Sequence, residues 1–205
     1  NQRNIVVSDQ SGKSNIISRL KMIGIEVNNE DLKIKKILNE VKDREFIGYS
    51  YDGADASFEL LARRIIGEIP TYLTISEYDV SVKKNKKGKI ISIAKAHILV
   101  DGNEVVCEGE GNGPVNALDN AIRNNVDKVV KYSKYLKDLK LVDYKVRILN
   151  TGTGAITRVS IESTDSKGKN WFTIGVSTNI IEASFKALID SLDYKLFKDQ
   201  APASK

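Results

Sequence analysis

Three glycines that precede a helix are the residues of this chain best suited to binding chemistry. Gly109, Gly111 and Gly113 alternate with polar residues, and Pro114 follows, which suits a first helical turn because its missing N–H costs nothing there. The free N–H groups of such a helix start can hold an anion, for example a carboxylate or a phosphate. The alternative is a tight strand-to-helix turn whose glycines need positive φ angles. The sequence leaves both alternatives open.

The glycine spacing differs from two common phosphate-binding motifs. It is not a dinucleotide fingerprint, since no βαβ unit surrounds it, and no Gly-Lys-Ser/Thr sequence follows as in a Walker loop. A second helix start lies at Asn179, whose side chain can cap the helix, and we expect that end to stay available. Two such helix starts among small and apolar residues suit a small zwitterion whose carboxylate meets backbone N–H groups. The residues expected around its aliphatic side chain are Val115, Ile148, Ile180 and Ile181.

The composition contains few residues of the types that most often act in catalysis. The 205 residues include one His, one Cys, one Met and one Trp. A single Cys excludes an internal disulfide and fits a reducing compartment, and one His with one Cys cannot build the usual zinc site. We expect His97 to be a half-exposed strand residue and Cys107 to be a small buried one. No catalytic residue, metal ligand or cofactor is therefore assigned to this chain.

The charge pattern gives a weak hint of an anionic partner. Lys plus Arg number 32 against 27 Asp plus Glu, and the densest basic run is Lys83–Lys89. A nucleic-acid-binding module would interleave aromatic side chains with this charge, and none is found there, so a solvated hairpin tip is favoured. No apolar run reaches the roughly 18 residues of a membrane span. We expect a cytoplasmic protein without nucleic-acid or membrane partners.

Residues 1–68 predict a small helical subdomain. Apolar residues recur at helical spacing in the segments Ser14–Ile25 and Leu32–Val41. A third helix is predicted over Gly53–Ile66, with Asp52 as its N-terminal cap. Short amphipathic helices of this kind need another surface on which to pack.

Residues 69–205 predict a duplicated unit of three strands and one helix. The two copies span about 71–140 and 141–196, and Gly109, Ala117 and Ala121 of the first align with Gly175, Ala183 and Ala187 of the second. A shift in the apolar alternation between Ile75 and Tyr78 indicates a bulge in the first strand. The predicted fold class is α+β, with the helical subdomain followed by a duplicated βββα domain with pseudo-twofold symmetry.

Several motifs resemble one enzyme family. The segments 109–122 (GEGNGPVNALDNAI) and 175–185 (GVSTNIIEASF) resemble the two repeat signatures of the regulatory domain of the isopropylmalate synthase and citramalate synthase family. The segments 53–61 (GADASFELL) and 145–149 (KVRIL) resemble the citramalate synthase branch. Gln10 stands where the isopropylmalate branch has a His, which also favours the citramalate branch.

The resemblance implies a regulatory piece of a longer enzyme. In such enzymes a catalytic TIM barrel with a divalent metal condenses pyruvate with acetyl-CoA, the first step of a pyruvate route to isoleucine. A helical connector and the regulatory domain follow the barrel, and this chain matches only these two parts. The chain opens with Asn1 and its one Met is Met22, which fits a piece cut from a longer protein. We therefore expect no catalytic activity from this chain alone.

The resemblance also implies an effector pocket and three partners. Two of them are the end-product amino acid, isoleucine in the citramalate branch or leucine in the isopropylmalate branch, and a second copy of the chain. The third partner expected is the barrel of the full-length enzyme. A purely structural dimerisation domain remains a further alternative. The implied pocket residues are Gly111, Asn112, Gly113, Pro114, Asn116, Tyr144, Ile148, Asn179 and Ile180.

Overall fold

The computed structural model describes residues 2–28, 31–149 and 154–205, with side chains from Gly12 onward. The described elements confirm the α+β fold class and the order strand, strand, strand, helix in each repeat. In chain order they are α1 (Gln2–Met22), α2 (Leu32–Phe46), α3 (Asp55–Ile66), β1 (Thr74–Lys84), β2 (Ile90–Val100), β3 (Asn103–Gly111), α4 (Pro114–Arg123), a 3-10 turn (Val126–Lys128), α5 (Val130–Leu136), β4 (Lys140–Ile148), β5 (Thr157–Thr164), β6 (Asn170–Ser177) and α6 (Ile180–Lys198).

The described strands form two antiparallel sheets, in the orders β1-β2-β3 and β4-β5-β6. The predicted bulge in the first strand is confirmed by a register shift between Ile75 and Glu77, and a matching shift lies between Leu141 and Asp143 of β4. β2 turns into β3 through a two-residue hairpin in which Asp101 and Gly102 both have positive φ angles. The two repeats therefore share their irregularities as well as their element order.

One helix of each repeat lies directly on its sheet at a glycine. A Cβ built on Gly109 would lie 2.2 Å from the backbone N of Ala121 and 2.7 Å from the carbonyl of Ala117. A Cβ built on Gly175 would lie 1.9 Å from the carbonyl of Ala183. These are the positions that align between the repeats, so the internal duplication preserves the closest contact between sheet and helix.

Two hydrophobic cores divide the molecule. The larger core joins both sheets to α4, α5 and α6, and its fully buried members include Leu118, Ile161 and Leu196. The smaller core is formed by α1, α2 and α3, around Leu20, Ile37 and Phe58. The helices before residue 68 thus bury their apolar faces mainly against each other.

Helix α3 also contacts the second repeat through polar groups. The guanidinium of Arg64 lies 2.8 Å from Asp190 and 2.7 Å from Asp193, both on α6. The hydroxyl of Ser57 donates to Asp190 at 2.7 Å and accepts the backbone N–H of Ile174 at 3.0 Å. The boundary at residue 68 stays a prediction, and the contacts of α3 extend across it.

The predicted cap of α3 is wrong. The helix begins at Asp55 after Ala54, which forms no side-chain cap, and Asp52 lies before a turn in which Gly53 has a φ of 74°. The amide of Ala54 donates to the carbonyl of Tyr51, whose ring is buried and fixes the path of this turn. The extra turn carries the Asp52 carboxylate away from the first helical N–H groups.

The close contact at Gly175 predicts that any added side chain there destabilises the fold. Gly175→Ala is expected to lower the free energy of unfolding by about 3 kcal/mol, because the added methyl group overlaps the backbone of α6, which cannot shift freely. Gly113→Ala is the matched control, since a Cβ there meets no atom within 4 Å and the expected change is below about 1 kcal/mol. Urea unfolding monitored by circular dichroism measures both changes. Equal effects of the two variants would contradict the close approach.

The buried carboxylate of Asp193 predicts a pH dependence. Burial raises the pKa of Asp193 from 3.8 to about 6, although Arg64 lowers it in part, and one carboxylate oxygen has no hydrogen-bond partner. The folded state therefore holds this proton more tightly than the unfolded state. The contribution of Asp193 to stability must then fall as the pH rises from about 4 to about 6.

Asp193→Asn removes this titration. Relative to the unchanged protein, the variant is expected to gain about 2 kcal/mol of stability between pH 4 and pH 7. Urea unfolding at four pH values measures the difference, with Asp79→Asn at an exposed strand position as the control. A difference between variant and parent that does not change with pH would exclude the raised pKa.

Candidate functional site

A cavity of about 390 Å³ lies where the starts of α4 and α6 meet strand β4. This volume is within the range of small-molecule sites, and most of the lining is apolar. The first turns of α4 contribute one wall, β4 the second and the first residue of α6 the third. The lining residues are Gly113, Pro114, Val115, Asn116, Asp119, Leu141, Tyr144 and Ile180.

The start of α4 presents free backbone donors to this cavity. Gly113 is the N-cap and forms no side-chain cap, while Pro114 occupies the first turn as predicted. Within the described ranges, no acceptor lies against the backbone N–H groups of Val115 and Asn116. These two groups lie at the positive end of the helix dipole, so this wall of the cavity can accept an anionic group.

Gly113 is explained by neither of the usual reasons for a glycine. Its φ is −154°, and a Cβ there would meet nothing within 4 Å. The alternative of a turn with positive φ angles is wrong, because none of the three glycines adopts one. Gly109 and Gly111 instead lie against the α4 backbone, which a Cβ on Gly111 would approach to 2.5 Å at the N atom of Ala117.

The start of α6 is built differently from the start of α4. Asn179 caps the helix as predicted, since its side-chain oxygen accepts the N–H groups of Ile181 at 2.8 Å and Glu182 at 3.3 Å. The expectation that this end stays available is therefore wrong, because the cap already uses these donors. Its contribution to the cavity is the half-exposed side chain of Ile180.

Two polar side chains complete the cavity walls. The hydroxyl groups of Tyr144 and Ser184 lie 2.9 Å apart, and Ser184 also donates to the carbonyl of Ile180 at 2.6 Å. Burial raises the pKa of Tyr144, so its phenol stays neutral. The Asp119 carboxylate is almost fully buried and is held by both Nε and Nη2 of Arg123. The cavity thus has an end with free backbone N–H groups, an apolar wall and a fixed carboxylate.

The predicted pocket residues separate into two groups. Five of them line the cavity, and these are Gly113, Pro114, Asn116, Tyr144 and Ile180. Four do not line it, and these are Gly111, Asn112, Ile148 and Asn179. Ile148 is 68% exposed at the end of β4, and Asn112 donates its backbone N–H to the side chain of Asn116 at 3.2 Å. The role of all nine residues in binding stays a prediction.

Sequence reasoning missed two lining residues, Asp119 and Leu141. Asp119 follows Asn116 by three residues and so lies on the same helix face. Leu141 precedes Tyr144 by three residues, which in a regular strand would place the two on opposite faces. The bulge between Leu141 and Asp143 reverses this, and the aligned bulge of β1 was the signal that could have revealed it.

The structure agrees with the non-catalytic interpretation of His97 and Cys107 and with a solvated hairpin at the basic run. His97 is a half-buried strand residue whose Nδ1 lies 3.2 Å from Glu104, and Cys107 is fully buried with its thiol pKa raised by burial. The basic run forms an exposed hairpin whose tip is closed by Asn85, which accepts the N–H groups of Lys87 and Lys89. Over the described part of the chain, no cluster of three metal-ligating side chains is found.

Comparison with known proteins decides the family. Residues 52–196 match the LeuA allosteric (dimerisation) domain. The chain belongs to this family. The match begins ahead of α3, so this helix is included with both repeats of the LeuA domain.

The longer relatives of this chain are named as synthases. The chain is 43% identical over 203 residues to an (R)-citramalate synthase of Aquifex aeolicus and 41% identical to one of Geobacter sulfurreducens, and each alignment covers 98% of this chain. A 2-isopropylmalate synthase of Carboxydothermus hydrogenoformans is 26% identical over 203 residues. The chain spans only 38% of the length of the two citramalate synthases and 36% of the third enzyme. The resemblance to this enzyme family is thus confirmed for its regulatory part.

No helix in the described ranges has the length and apolar character that a membrane crossing needs. The cytoplasmic location stays a prediction.

Proposed function

We propose that this chain is the regulatory region of a citramalate synthase and binds isoleucine in the cavity at the start of α4. The single observation that carries the proposal is the uncapped helix start, which faces an apolar cavity within an allosteric domain. Bound isoleucine would inhibit the condensation of pyruvate with acetyl-CoA on a barrel outside this chain. The divalent metal of that reaction belongs to the same barrel.

Each part of a branched-chain amino acid has a counterpart in the cavity. The carboxylate would accept the free N–H groups of Val115 and Asn116 at the positive end of α4. The ammonium group would face the carboxylate of Asp119, whose charge it would share with Arg123. The aliphatic side chain would lie between Leu141 and Ile180, where removing apolar surface from water favours binding.

Helix α6 supports a route from the cavity to the connector. It begins at Ile180 beside the cavity and carries Asp190 and Asp193, which bind Arg64 of α3. Inhibition requires that isoleucine bind two states of the enzyme with different affinity. A shift of the α6 start on binding would move the ion pairs at α3, which lies on the side of the expected barrel.

Apolar side chains on strand β4 support a second copy of the chain as partner. Val142 and Ile148 are 53% and 68% exposed, and Val146 between them is 41% exposed. Edge strands with exposed apolar residues tend to pair with another chain. The homodimer would cover this strand next to the proposed isoleucine cavity.

Titration calorimetry tests the amino-acid site. We expect binding of isoleucine, with weaker binding of leucine and valine. Gly113→Val should weaken isoleucine binding by about tenfold or more, because Gly113 lines the cavity and a Cβ there meets no atom of the fold within 4 Å. Gly154→Val is the matched control, since a Cβ there also meets no atom within 4 Å and lies outside the cavity.

The outcomes of the titration separate the alternatives. Tighter binding of leucine would assign the chain to the isopropylmalate branch. Absence of heat with all three amino acids would contradict the sensor and favour a purely structural dimerisation domain. Unchanged isoleucine binding by Gly113→Val would exclude the α4 start as the site.

The oligomeric state is tested by sedimentation. The 22.8 kDa chain is expected to sediment as a dimer, and Ile148→Asp is expected to shift it to the monomer, because an uncompensated charge in an interface is costly. Lys86→Asp on the exposed hairpin is the control. A chain that sediments as a monomer at micromolar concentration would contradict the dimer.

A further inference from the structure

Two arginines face each other on the outer face of the second sheet. Arg147 of β4 and Arg158 of β5 are directly opposite in the strand register, so their side chains emerge on the same face. Lys145 lies two residues away on that face, opposite Ser160. Like charges directly opposite each other destabilise a sheet, so this pair lowers stability unless something compensates it.

Within the described ranges, no acidic side chain compensates the charges of these two arginines. Among the described residues, no carboxylate lies within 4.0 Å of either guanidinium, and Arg158 donates its Nε–H to the carbonyl of Gly48 at 2.6 Å. Burial and the charge of Arg147 lower the pKa of Arg158. Among the residues that the structure describes, none accepts the remaining guanidinium N–H groups, which can therefore bind an external anion.

Neighbouring charges do not cancel the pair. Lys145 is held by Asp143 at 2.7 Å, which neutralises it. Asp52 lines the same surface cavity as the arginines, but its side chain is 90% exposed and its carboxylate lies 4.0 Å from the guanidinium of Arg19. The local excess of positive charge thus belongs to the two arginines.

The arginines line a second cavity of about 390 Å³. The loop between α2 and α3 forms one side of it, and the outer face of the sheet forms the other. Its hydroxyl donors are those of Ser50 and Ser160, and Ile174 is part of the sheet surface below them. Arg147 and Tyr144 are three residues apart on β4 beyond its bulge, so this cavity and the proposed isoleucine cavity lie on opposite faces of the sheet.

The first repeat indicates that the fold itself does not need the arginines. Ser81 of β1 and Ile93 of β2 are opposite each other, at the positions that correspond to Arg147 and Arg158. A neutral pair therefore satisfies the same place in the same fold. The arginine pair is a property of the second repeat alone.

We propose that this cavity binds a phosphate group, either as inorganic phosphate or as a small phosphate ester. The planar guanidinium fork binds phosphate oxygens through two parallel hydrogen bonds, and two opposed forks match the charge of a dianion. The hydroxyls of Ser50 and Ser160 can donate to remaining oxygens. The volume leaves space for the carbon skeleton of an ester beside the phosphate. The site is independent of the proposed amino-acid site.

The test combines calorimetry with thermal unfolding of the whole chain. The probes are inorganic phosphate and glycerol 3-phosphate, each compared with chloride at equal ionic strength. Both phosphates are expected to raise the Tm above the chloride value. Arg147→Ser introduces the residue found at the corresponding position of the first repeat, and it is expected to weaken phosphate affinity about tenfold or more.

Arg147→Ser should also raise the Tm in the absence of phosphate, because it relieves the like-charge contact. Lys86→Ser removes the same charge from the exposed hairpin and should leave phosphate binding unchanged. Tighter binding of either phosphate probe identifies the free anion or the ester as the ligand class. Stabilisation no greater than that by chloride, or full phosphate binding by Arg147→Ser, would overturn the proposal. Arg147-dependent binding of RNA without a response to either phosphate probe would overturn it as well.

Discussion

The contact of two helix backbones with two sheet glycines is the constraint on which the molecule depends. At Gly109 and Gly175 the absence of a side chain lets α4 and α6 lie directly on their sheets. This fixes the height and direction of both helices, and so it fixes where each helix begins. Because α4 begins beside β4 and α6, its first N–H groups open into an apolar cavity instead of bulk water. The candidate site is thus a consequence of close packing some distance away.

The two repeats have kept the same fold while their polar features have diverged. The first has an uncapped helix start, whereas in the second Asn179 occupies the equivalent donors. On the outer face of the sheets it is the second repeat that has the distinctive polar feature. It carries the arginine pair, whereas the first repeat has a neutral pair at the same place. Duplication thus supplied two frameworks, and each repeat carries a different polar surface on the same arrangement of strands.

The sequence was informative where a feature depends on neighbouring residues. The bulge after Ile75 and the first helical turn at Pro114 follow from local rules and are present. The members of the cavity depend on tertiary contacts. Leu141 reaches it only through a bulge, and Asn179 caps its helix so fully that its donors are lost to a ligand. Local patterns could identify the helix starts but could not decide which one is open.

Position 113 has a consequence for how such a domain can change over time. The backbone there is extended and a Cβ would meet no atom within 4 Å, so a small side chain can be added without a steric clash, at the modest cost of replacing glycine at an N-cap. Small side chains at this one position would change the cavity at a cost of about 1 kcal/mol in stability. Selection for a different ligand, or for none, can therefore proceed by single substitutions that no close packing opposes. In a closely packed domain, few positions allow a binding cavity to change without a steric clash.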